Sequence, residues 1–279
     1  MQMQTTLNCR GTLVDLSTPK VMGILNLTPD SFFDGGKFTE RDSILRKLEL
    51  MLHEGATFID VGAVSSKPGA KPVSAEEEAD RLLQPLRVVL EAFPGAICSI
   101  DTTNAEVAEF ALKAGAAMIN DITAGKGDEK MLELVAKYRV PFVAMHMQGN
   151  PQTMQQNPHY IDVVKEVLEF FAERIAACKQ AGIHDVIVDP GFGFGKTKEH
   201  NYKLLKHLDV FKITGQSVLV GLSRKGMVYK TLRTDADGAL NGTTALHMVA
   251  LQNGAKILRV HDVKEAMECV RLWGELKTM

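Results

Sequence analysis

The chain has 279 residues, of which 45% are hydrophobic and 24% are charged, and its formal net charge is −2. This composition excludes a disordered or collagen-like chain. A charge so near zero argues against general nucleic-acid binding, which needs an excess of Lys and Arg. No stretch approaches the roughly 18 consecutive apolar residues of a membrane span. The N-terminus lacks a basic and apolar leader, so we expect no signal peptide.

The cysteines are widely scattered and form no Cys-x-x-Cys pair. They are Cys9, Cys98, Cys178 and Cys269. Isolated cysteines of this kind are typical of reduced, structural thiols, and they predict a cytoplasmic location.

Short apolar runs rich in β-branched or bulky residues recur along the chain. They are residues 21–25, 57–61, 97–100, 118–119, 142–145, 186–188, 218–222 and 257–260. Their hydrophobicity is continuous rather than alternating, which is typical of strands buried on both faces. The pattern therefore predicts a parallel sheet.

The segments between these runs have helical periodicity. Ser74 and Glu77 predict a capping box at the start of one helix, and another helix is predicted over 161–181 with Gly182 at its C-cap. Alternation of strands and helices in a repeat of roughly 30 to 35 residues indicates a single α/β domain, a (β/α)8 TIM barrel. A doubly wound open sheet shares the alternation and is the alternative architecture.

The first 20 residues stand outside this repeat. Residues 7–10 and 12–16, hinged at Gly11, predict a small β-hairpin that caps the bottom of the barrel. We therefore expect the hairpin within residues 1–20 and the barrel within residues 21–279.

Polar residues follow every predicted barrel strand. They are Asn26, Asp60, Asp101, Asn120 with Asp121, His146, Asp189, the triplet Ser223-Arg224-Lys225, and Arg259 with His261. Such residues often only cap the next helix, but carboxylates and cations at so many strand ends exceed what capping requires. Because these ends meet at one mouth in a parallel barrel, we expect a locally basic site for a polar, charged ligand.

The residue types narrow that ligand further. Donors and acceptors on the middle strands suit a flat heterocycle with amide and amino edges. These residues are Asp101, Asn120, Asp189 and Lys225. Arg259 and His261 lie on the last strand, where this fold frequently binds phosphate, and Arg matches a phosphate dianion. Asn26 on the first strand offers the neutral oxygen that Mg²⁺ accepts beside phosphate and water.

A glycine-rich segment at 190–197 resembles phosphate-binding motifs without fitting them. A P-loop needs glycine where Pro190 stands, and a dinucleotide fingerprint starting at Gly191 needs glycine where Lys196 stands. We expect these glycines to let the backbone approach a planar ligand, with Phe194 offering an aromatic edge.

Seven motifs, each at or beside a strand end, make the chain similar to the dihydropteroate synthase family. They are MGILNLTPDSFFDGG (22–36), IDTT (100–103), IND (119–121), MHMQGNP (145–151), DPGFGFGK (189–196), SRK (223–225) and RVHD (259–262). The resemblance implies that 6-hydroxymethyl-7,8-dihydropterin pyrophosphate condenses with p-aminobenzoate to give 7,8-dihydropteroate and pyrophosphate. It also implies a homodimer.

The resemblance assigns roles to particular residues. It implies pterin contacts at Asp101, Asn120, Asp189 and Lys225. It implies pyrophosphate contacts at Asn26, Lys67, Arg259 and His261, with Mg²⁺ at Asn26. It implies p-aminobenzoate contacts at Phe32, Ser66, Pro68, Phe194, Ser223 and Gly226. An S_N1-like loss of pyrophosphate is expected, because a dihydropterin can delocalise a methylene cation. The residues expected to carry it are Asp101, Asp189, Lys225, Arg259 and His261.

The chain departs from the commonest family pattern at two places. Residues 64–69 read Val-Ser-Ser-Lys-Pro-Gly where Glu-Ser-Thr-Arg-Pro-Gly is usual, so Lys67 keeps the charge but lacks the bidentate fork. Gly226 stands where many relatives carry a serine. These differences bear on p-aminobenzoate affinity and sulfonamide sensitivity more than on the reaction.

Two other functions share part of this pattern. A barrel that moves a methyl group from methyltetrahydrofolate to a corrinoid protein uses the same pterin contacts, but not the pyrophosphate site or the TPDSF loop. A paralogue that binds without turnover is indicated only by Val64, Lys67 and Gly226. Apolar residues in the last helices suit either a dimer interface or barrel packing. They are Leu246, Met248, Val249, Leu272 and Trp273.

Overall fold

The computed structural model describes residues 4–27, 40–65, 69 and 73–278, and it begins with an antiparallel hairpin. The hairpin strands are β1 (Thr6–Cys9) and β2 (Thr12–Asp15). Leu7, Val14 and Leu16 are buried against the inside of the strands that follow. The predicted hairpin and its position beneath the barrel are confirmed.

Parallel strands then close into a barrel. They are β3 (Lys20–Asn26), β4 (Phe58–Gly62), β5 (Ile97–Asp101), β6 (Met118–Asp121), β7 (Phe142–Met145), β8 (Val186–Asp189), β9 (Ser217–Val220) and β10 (Ile257–Val260). Their order is β10-β3-β4-β5-β6-β7-β8-β9, and the barrel is closed. This confirms the predicted (β/α)8 barrel, and the open sheet is wrong.

Helices surround the barrel. They are α1 (Glu40–His53), α2 (Ala75–Ala92), α3 (Ala105–Ala114), α4 (Met131–Tyr138), α5 (Val163–Ala181), α6 (Lys198–Lys206), α7 (Gly226–Leu232), α8 (Leu240–Gln252) and α9 (Val263–Thr278). The short α7 is additional to one helix per strand, since it precedes α8 in the same connection. Within the described ranges, no helix has the length and apolar character needed to cross a bilayer.

The helix ends agree with the predicted caps in part. The Ser74 side chain accepts a hydrogen bond from the Glu77 N–H, but the Glu77 carboxylate pairs with Arg81. Helix α5 begins two residues later than predicted, because the Asp162 side chain caps it by accepting from the Val164 N–H. Gly182 ends α5 in the left-handed conformation, as predicted.

Apolar residues fill two separate regions of the core. One lies between the strands and the surrounding helices. The other fills the lower barrel interior and is called the floor below; its barrel members include Met22, Phe58, Met118, Val143, Ile187, Leu219 and Ile257. The cysteines are buried and free, as the sequence predicts for structural thiols.

Candidate active site

Polar side chains form a layer above the floor, at the end of the barrel where the parallel strands terminate. Asp101 ends β5, Asp189 ends β8, and Asn120 lies near the end of β6. Lys225 follows β9, and Arg259 lies on β10. This layer, with His261 and Asn26 at the same ends, is called the mouth below.

Arg259 connects side chains from different strands on one side of the mouth. Its Nε donates to Asp60 Oδ2 at 2.6 Å, and its Nη2 donates to Asp101 Oδ2 at 2.8 Å. The same Asp60 oxygen accepts from Asn120 Nδ2 at 3.0 Å. The guanidinium therefore connects Asp101 with Asp60, and through Asp60 with Asn120. Asp101 and Asn120 are predicted to bind the pterin, whereas Asp60 is a second carboxylate to which the sequence analysis assigned no specific ligand.

Burial and neighbouring charges set the protonation of these groups. Burial alone would lower the pKa of Arg259, but Asp60 and Asp101 raise it above its usual range, so the guanidinium stays charged. Burial raises the pKa of Asp101, and the attraction of Arg259 opposes this rise. At these depths a carboxylate remains ionised only beside a cation or a hydrogen-bonding ligand.

Lys225 and Asp189 form the opposite side of the mouth. Burial lowers the pKa of Lys225 to about 8, while Asp189 opposes that shift. Burial likewise raises the pKa of Asp189, opposed first by Lys225. A Cβ atom at Gly221 would lie 3.8 Å from Asp189 Oδ2 and 3.9 Å from Lys225 Nζ. Glycine there leaves space beside both charged groups.

An aromatic wall stands beside Lys225. Its Nζ donates to the Phe192 carbonyl, and it lies 4.6 Å from the centre of the Phe194 ring. Phe194 is half-buried, as a residue with one face toward a ligand would be. Phe194 therefore lies in a cation–π contact with Lys225, a residue predicted to bind the pterin.

In the SRK turn, residues 223–225, Ser223 and Lys225 face the mouth and Arg224 does not. Arg224 donates from Nε and Nη2 to the Asp262 carboxylate, both at 2.8 Å, and from Nη1 to two backbone carbonyls. We expected Arg224 among the cations of the mouth, and that was wrong, because Asp262 holds it. Ser223 is buried, and its Oγ accepts from the His261 N–H at 3.3 Å.

Three predicted residues lie at the edge of the mouth. The His261 side chain is exposed, and partial desolvation, followed by the charge of Arg259, lowers its pKa. It is therefore neutral near pH 7 and offers a hydrogen bond rather than a charge. Asn26 is half-buried at the end of β3, beside β10. Gly226 begins α7, directly after Lys225.

Other predicted residues are positioned differently or lie outside the described part of the chain. Asp121 accepts hydrogen bonds from Thr123 and from the Gly125 N–H, so it caps the following loop. His146 lies beneath the glycine-rich segment, against Lys196. The predicted contacts Phe32, Ser66, Lys67 and Pro68 fall outside the described residues.

The described residues contain no group of three or more His, Cys, Asp or Glu side chains that could hold a metal ion. Any divalent cation here would depend on ligands other than such a cluster. The neutral oxygen of Asn26 fits that kind of site, because Mg²⁺ commonly binds through few protein groups together with phosphate oxygens and water.

Comparison with known proteins agrees with this geometry. A family model described as pterin binding enzyme matches residues 22–261. The chain belongs to this family. The dihydropteroate synthase of Escherichia coli strain K12 is 46% identical over 265 residues, which cover 94% of this chain and 93% of that protein.

Solved structures of family members share the whole fold. Xanthomonas albilineans dihydropteroate synthase with 4-aminobenzoic acid superposes with a TM-score of 0.92 at 40% identity, covering 99% of each chain. The enzyme of the same organism in complex with 7,8-dihydropteroate gives a TM-score of 0.88 at 38% identity, covering 98% of this chain and 99% of that one. The similarity therefore extends over the barrel and its N-terminal hairpin.

Proposed function

We infer that this chain is a transferase that condenses 6-hydroxymethyl-7,8-dihydropterin pyrophosphate with p-aminobenzoate, giving 7,8-dihydropteroate and pyrophosphate. The observation that carries this proposal is the arrangement of buried carboxylates, an amide and two cations in one mouth. Full-length similarity to dihydropteroate synthases, including one in complex with 7,8-dihydropteroate, supports it.

The pterin half of the substrate would occupy the side of the mouth near Asp189. Its ring N–H donors need buried acceptors, which Asp101, Asp189 and Asn120 supply. Lys225 would donate to a ring carbonyl or nitrogen, and Gly221 leaves room for the flat ring. Burial of these groups supports the assignment, because buried polar atoms that lack a partner are unfavourable until a ligand satisfies them.

The pyrophosphate half would occupy the side near Arg259 and His261. Arg259 keeps its charge, and neutral His261 can donate one hydrogen bond to a phosphate oxygen. Mg²⁺ fits beside Asn26, which would hold it together with pyrophosphate oxygens. When bound, the ion would neutralise charge on the leaving group.

The reaction requires little from the protein beyond charged groups in suitable positions. The C–O bond to pyrophosphate breaks first, and the dihydropterin delocalises the methylene cation; the arylamine then attacks through its lone pair and loses a proton. Asp101 and Asp189 would stabilise the cationic ring, while Arg259 would stabilise the leaving group. The arylamine is neutral at pH 7, so no strong general base is needed.

The p-aminobenzoate would lie against the outer wall of the mouth. Phe194 would stack on its ring, and Ser223 and Gly226 lie on the same turn as Lys225. Phe32, Ser66 and Pro68 complete the predicted set, and Lys67 remains a predicted pyrophosphate contact. Phe32→Ala should raise the KM for p-aminobenzoate with little change in pterin affinity, as measured by steady-state kinetics and calorimetry; equal losses of both would refute this division.

One assay tests the proposed function and the non-catalytic alternative, and a second incubation, with methyltetrahydrofolate and a corrinoid protein, tests the methyl-transfer alternative. The purified protein is incubated with the pterin pyrophosphate, Mg²⁺ and p-aminobenzoate, and both products are quantified. Equal amounts of pyrophosphate and dihydropteroate are expected. Pterin binding without product would favour the non-catalytic paralogue, whereas methyl transfer from methyltetrahydrofolate to a corrinoid protein would favour the other alternative.

A homodimer is part of the same proposal. Val249 on α8 and Leu272 on α9 are exposed, and so are Leu232 on α7 and Leu276 on α9. Leu246, Met248 and Trp273 instead pack partly against the core, so only some of the predicted residues are available to a partner. Light scattering should give a mass in solution of twice the chain mass, and Leu272→Glu should reduce this measured mass. The cytoplasmic location stays a prediction.

A further inference from the structure

Lys196 is a buried lysine directly beneath the glycine-rich loop, residues 190–196. Its Nζ lies 2.8 Å from His146 Nδ1, 3.0 Å from the Phe194 carbonyl and 3.1 Å from the Gly191 carbonyl. The His146 carbonyl is a fourth acceptor at 3.3 Å. The side chain is 3% exposed, so water does not replace these contacts.

The loop rests directly on the backbone that follows β7. A Cβ atom at Gly191 would lie 1.9 Å from the His146 carbonyl oxygen, and one at Gly195 would lie 2.4 Å from the Gln148 carbonyl oxygen. Both glycines also have positive φ angles, which L side chains rarely adopt. This close approach directs several carbonyl oxygens toward one point, where only a donor or a cation is tolerated.

The ammonium of Lys196 is suited to that point. It has three N–H donors, and burial keeps His146 neutral by lowering its pKa to about 2, so His146 Nδ1 can accept. Burial lowers the pKa of Lys196 to about 7, and the nearby charge of Asp189 opposes this shift. The sequence does not predict this role, because in the sequence Lys196 resembles the lysine of an imperfect P-loop.

The upper side of the same loop shapes the mouth. It presents the Phe192 carbonyl, which accepts from Lys225 Nζ, and the Phe194 ring, which lies 4.6 Å from that Nζ. The hydrogen bonds of Lys196 Nζ run to other atoms, namely His146 Nδ1 and the His146, Gly191 and Phe194 carbonyls. Any movement of the loop would therefore displace the aromatic wall and the acceptor that orients Lys225.

We propose that Lys196 is a positioning residue. Its Nζ binds the Gly191 and Phe194 carbonyls of the loop and also His146 Nδ1, and so it fixes the loop against His146. The fixed loop in turn orients Lys225 and Phe194 for pterin and p-aminobenzoate. This inference rests on the proposed function, since that function assigns Lys225 and Phe194 to these ligands. Arg259 and His261 stand on another strand and do not depend on the loop. The pterin and pyrophosphate subsites should therefore respond differently to its loss.

The experiment measures ligands separately in Lys196→Met, a variant that keeps the chain length and removes the donors. Calorimetry with 6-hydroxymethylpterin should show affinity weakened by about 10- to 100-fold, the effect of a displaced ligand group. The KM for p-aminobenzoate should rise as well. Affinity for inorganic pyrophosphate should stay at the wild-type value. Lys198→Met, on the exposed start of α6, is the matched control and should leave all three unchanged.

Two results would overturn the proposal. One is a folded Lys196→Met protein with wild-type pterin affinity, and the other is an equal loss of pterin and pyrophosphate affinity, which a general loss of structure would produce. Wild-type protein that binds pterin but forms no dihydropteroate would instead contradict the proposed function. It would leave the positioning role intact, because that role is tested by ligand affinity and not by product formation.

A second pair of variants applies if Lys196→Met does not fold. His146→Asn places an amide oxygen near the position of Nδ1 and so keeps an acceptor, whereas His146→Leu removes the acceptor. The proposal predicts weaker pterin binding in His146→Leu, unchanged pyrophosphate binding, and recovery of pterin affinity in His146→Asn. Equal pterin affinity in the two variants would contradict it.

Discussion

The floor and the mouth are two levels of one barrel interior, and they are built from opposite chemistry. Ile187 on β8 and Phe58 on β4 are fully buried in the floor. Two residues further along the same strands, Asp189 and Asp60 are buried almost as completely but carry charge. Because strand side chains alternate with a period of two, each pair faces the same side. Depth alone therefore does not decide which residue type the barrel holds.

The difference indicates which level serves stability and which serves a ligand. Burying the floor removes apolar surface from water and stabilises the fold. The mouth contains charges that are only partly satisfied, and Asp60 Oδ1 is buried with no hydrogen-bond partner in the described part of the chain. An unsatisfied buried acceptor destabilises a protein, and a ligand that donates a hydrogen bond to Asp60 would relieve this cost.

The largest expected effect is at Asp189 in the mouth. Asp189→Ala should lower kcat/KM for the pterin pyrophosphate by at least about 100-fold, since the ring donors lose a buried charged acceptor and Lys225 loses a nearby opposite charge. Asp189→Asn keeps an oxygen that can accept from the Gly191 N–H and should fall between alanine and wild type. Steady-state kinetics decides this, and unchanged kcat/KM in the alanine variant would contradict the assignment.

The matched change in the floor is at Ile187, on the same strand and face. Ile187→Ala should lower the free energy of unfolding by about 2–5 kcal/mol, because it leaves a cavity in a fully buried region. Urea denaturation gives this value, and kcat/KM of the folded protein should stay near wild type. A large loss of activity with little loss of stability would remove the distinction between floor and mouth.

A smaller effect is expected from Arg259→Lys. Lysine keeps the charge but lacks the planar fork that bonds Asp60 through Nε and Asp101 through Nη2, so affinity for inorganic pyrophosphate should fall about tenfold with the loss of a charge-assisted hydrogen bond. Calorimetry measures it, with Arg271→Lys on the exposed face of α9 as the matched control. Wild-type affinity in Arg259→Lys would show that a positive charge alone is sufficient for pyrophosphate binding.

The smallest effect concerns His247, a buried histidine on α8 outside the mouth. Neither ring nitrogen has a partner within the described residues, and burial lowers its pKa to about 4. Replacing it with leucine should leave the free energy of unfolding at pH 7 unchanged or raise it by up to about 2 kcal/mol.

The pH dependence of stability tests the same residue. Unfolding takes up a proton at His247 between about pH 6.5 and the lowered pKa, so wild-type stability falls as the pH falls through that range. His247→Leu should remove up to about 1.4 kcal/mol per pH unit from this slope. Denaturation curves from pH 7 to pH 4 measure it, and an identical slope in both proteins would contradict the prediction.

Much of the barrel was predictable, because it depends on local pattern. Continuous apolar runs predicted each barrel strand within a few residues, and strand ends placed Asp101, Asp189 and Arg259 together in the mouth. The position of Asp121 was also recoverable, since Thr123 two residues later is the usual partner in a side-chain turn. As a strand-end residue Asp121 was grouped with the polar residues of the mouth, whereas its carboxylate caps the loop that follows β6.

Other features depend on contacts across the closed barrel. Asp60 and Arg259 are 199 residues apart, and only closure of β10 on β3 and β4 brings them together. The pairing of Arg224 with Asp262 likewise joins two turns, and it removes a cation that composition alone would place in the mouth. Lys196 has no local signal, because its acceptors are carbonyls directed by loop conformation.

The most direct test is the rise in melting temperature caused by 6-hydroxymethylpterin with inorganic pyrophosphate. A ligand that binds only the folded protein raises this temperature. Ile187→Ala should melt lower than wild type but keep the ligand-induced rise, whereas Asp189→Ala should lose it. A rise retained in Asp189→Ala, or lost in Ile187→Ala, would contradict the division of the barrel into a stabilising floor and a ligand-binding mouth.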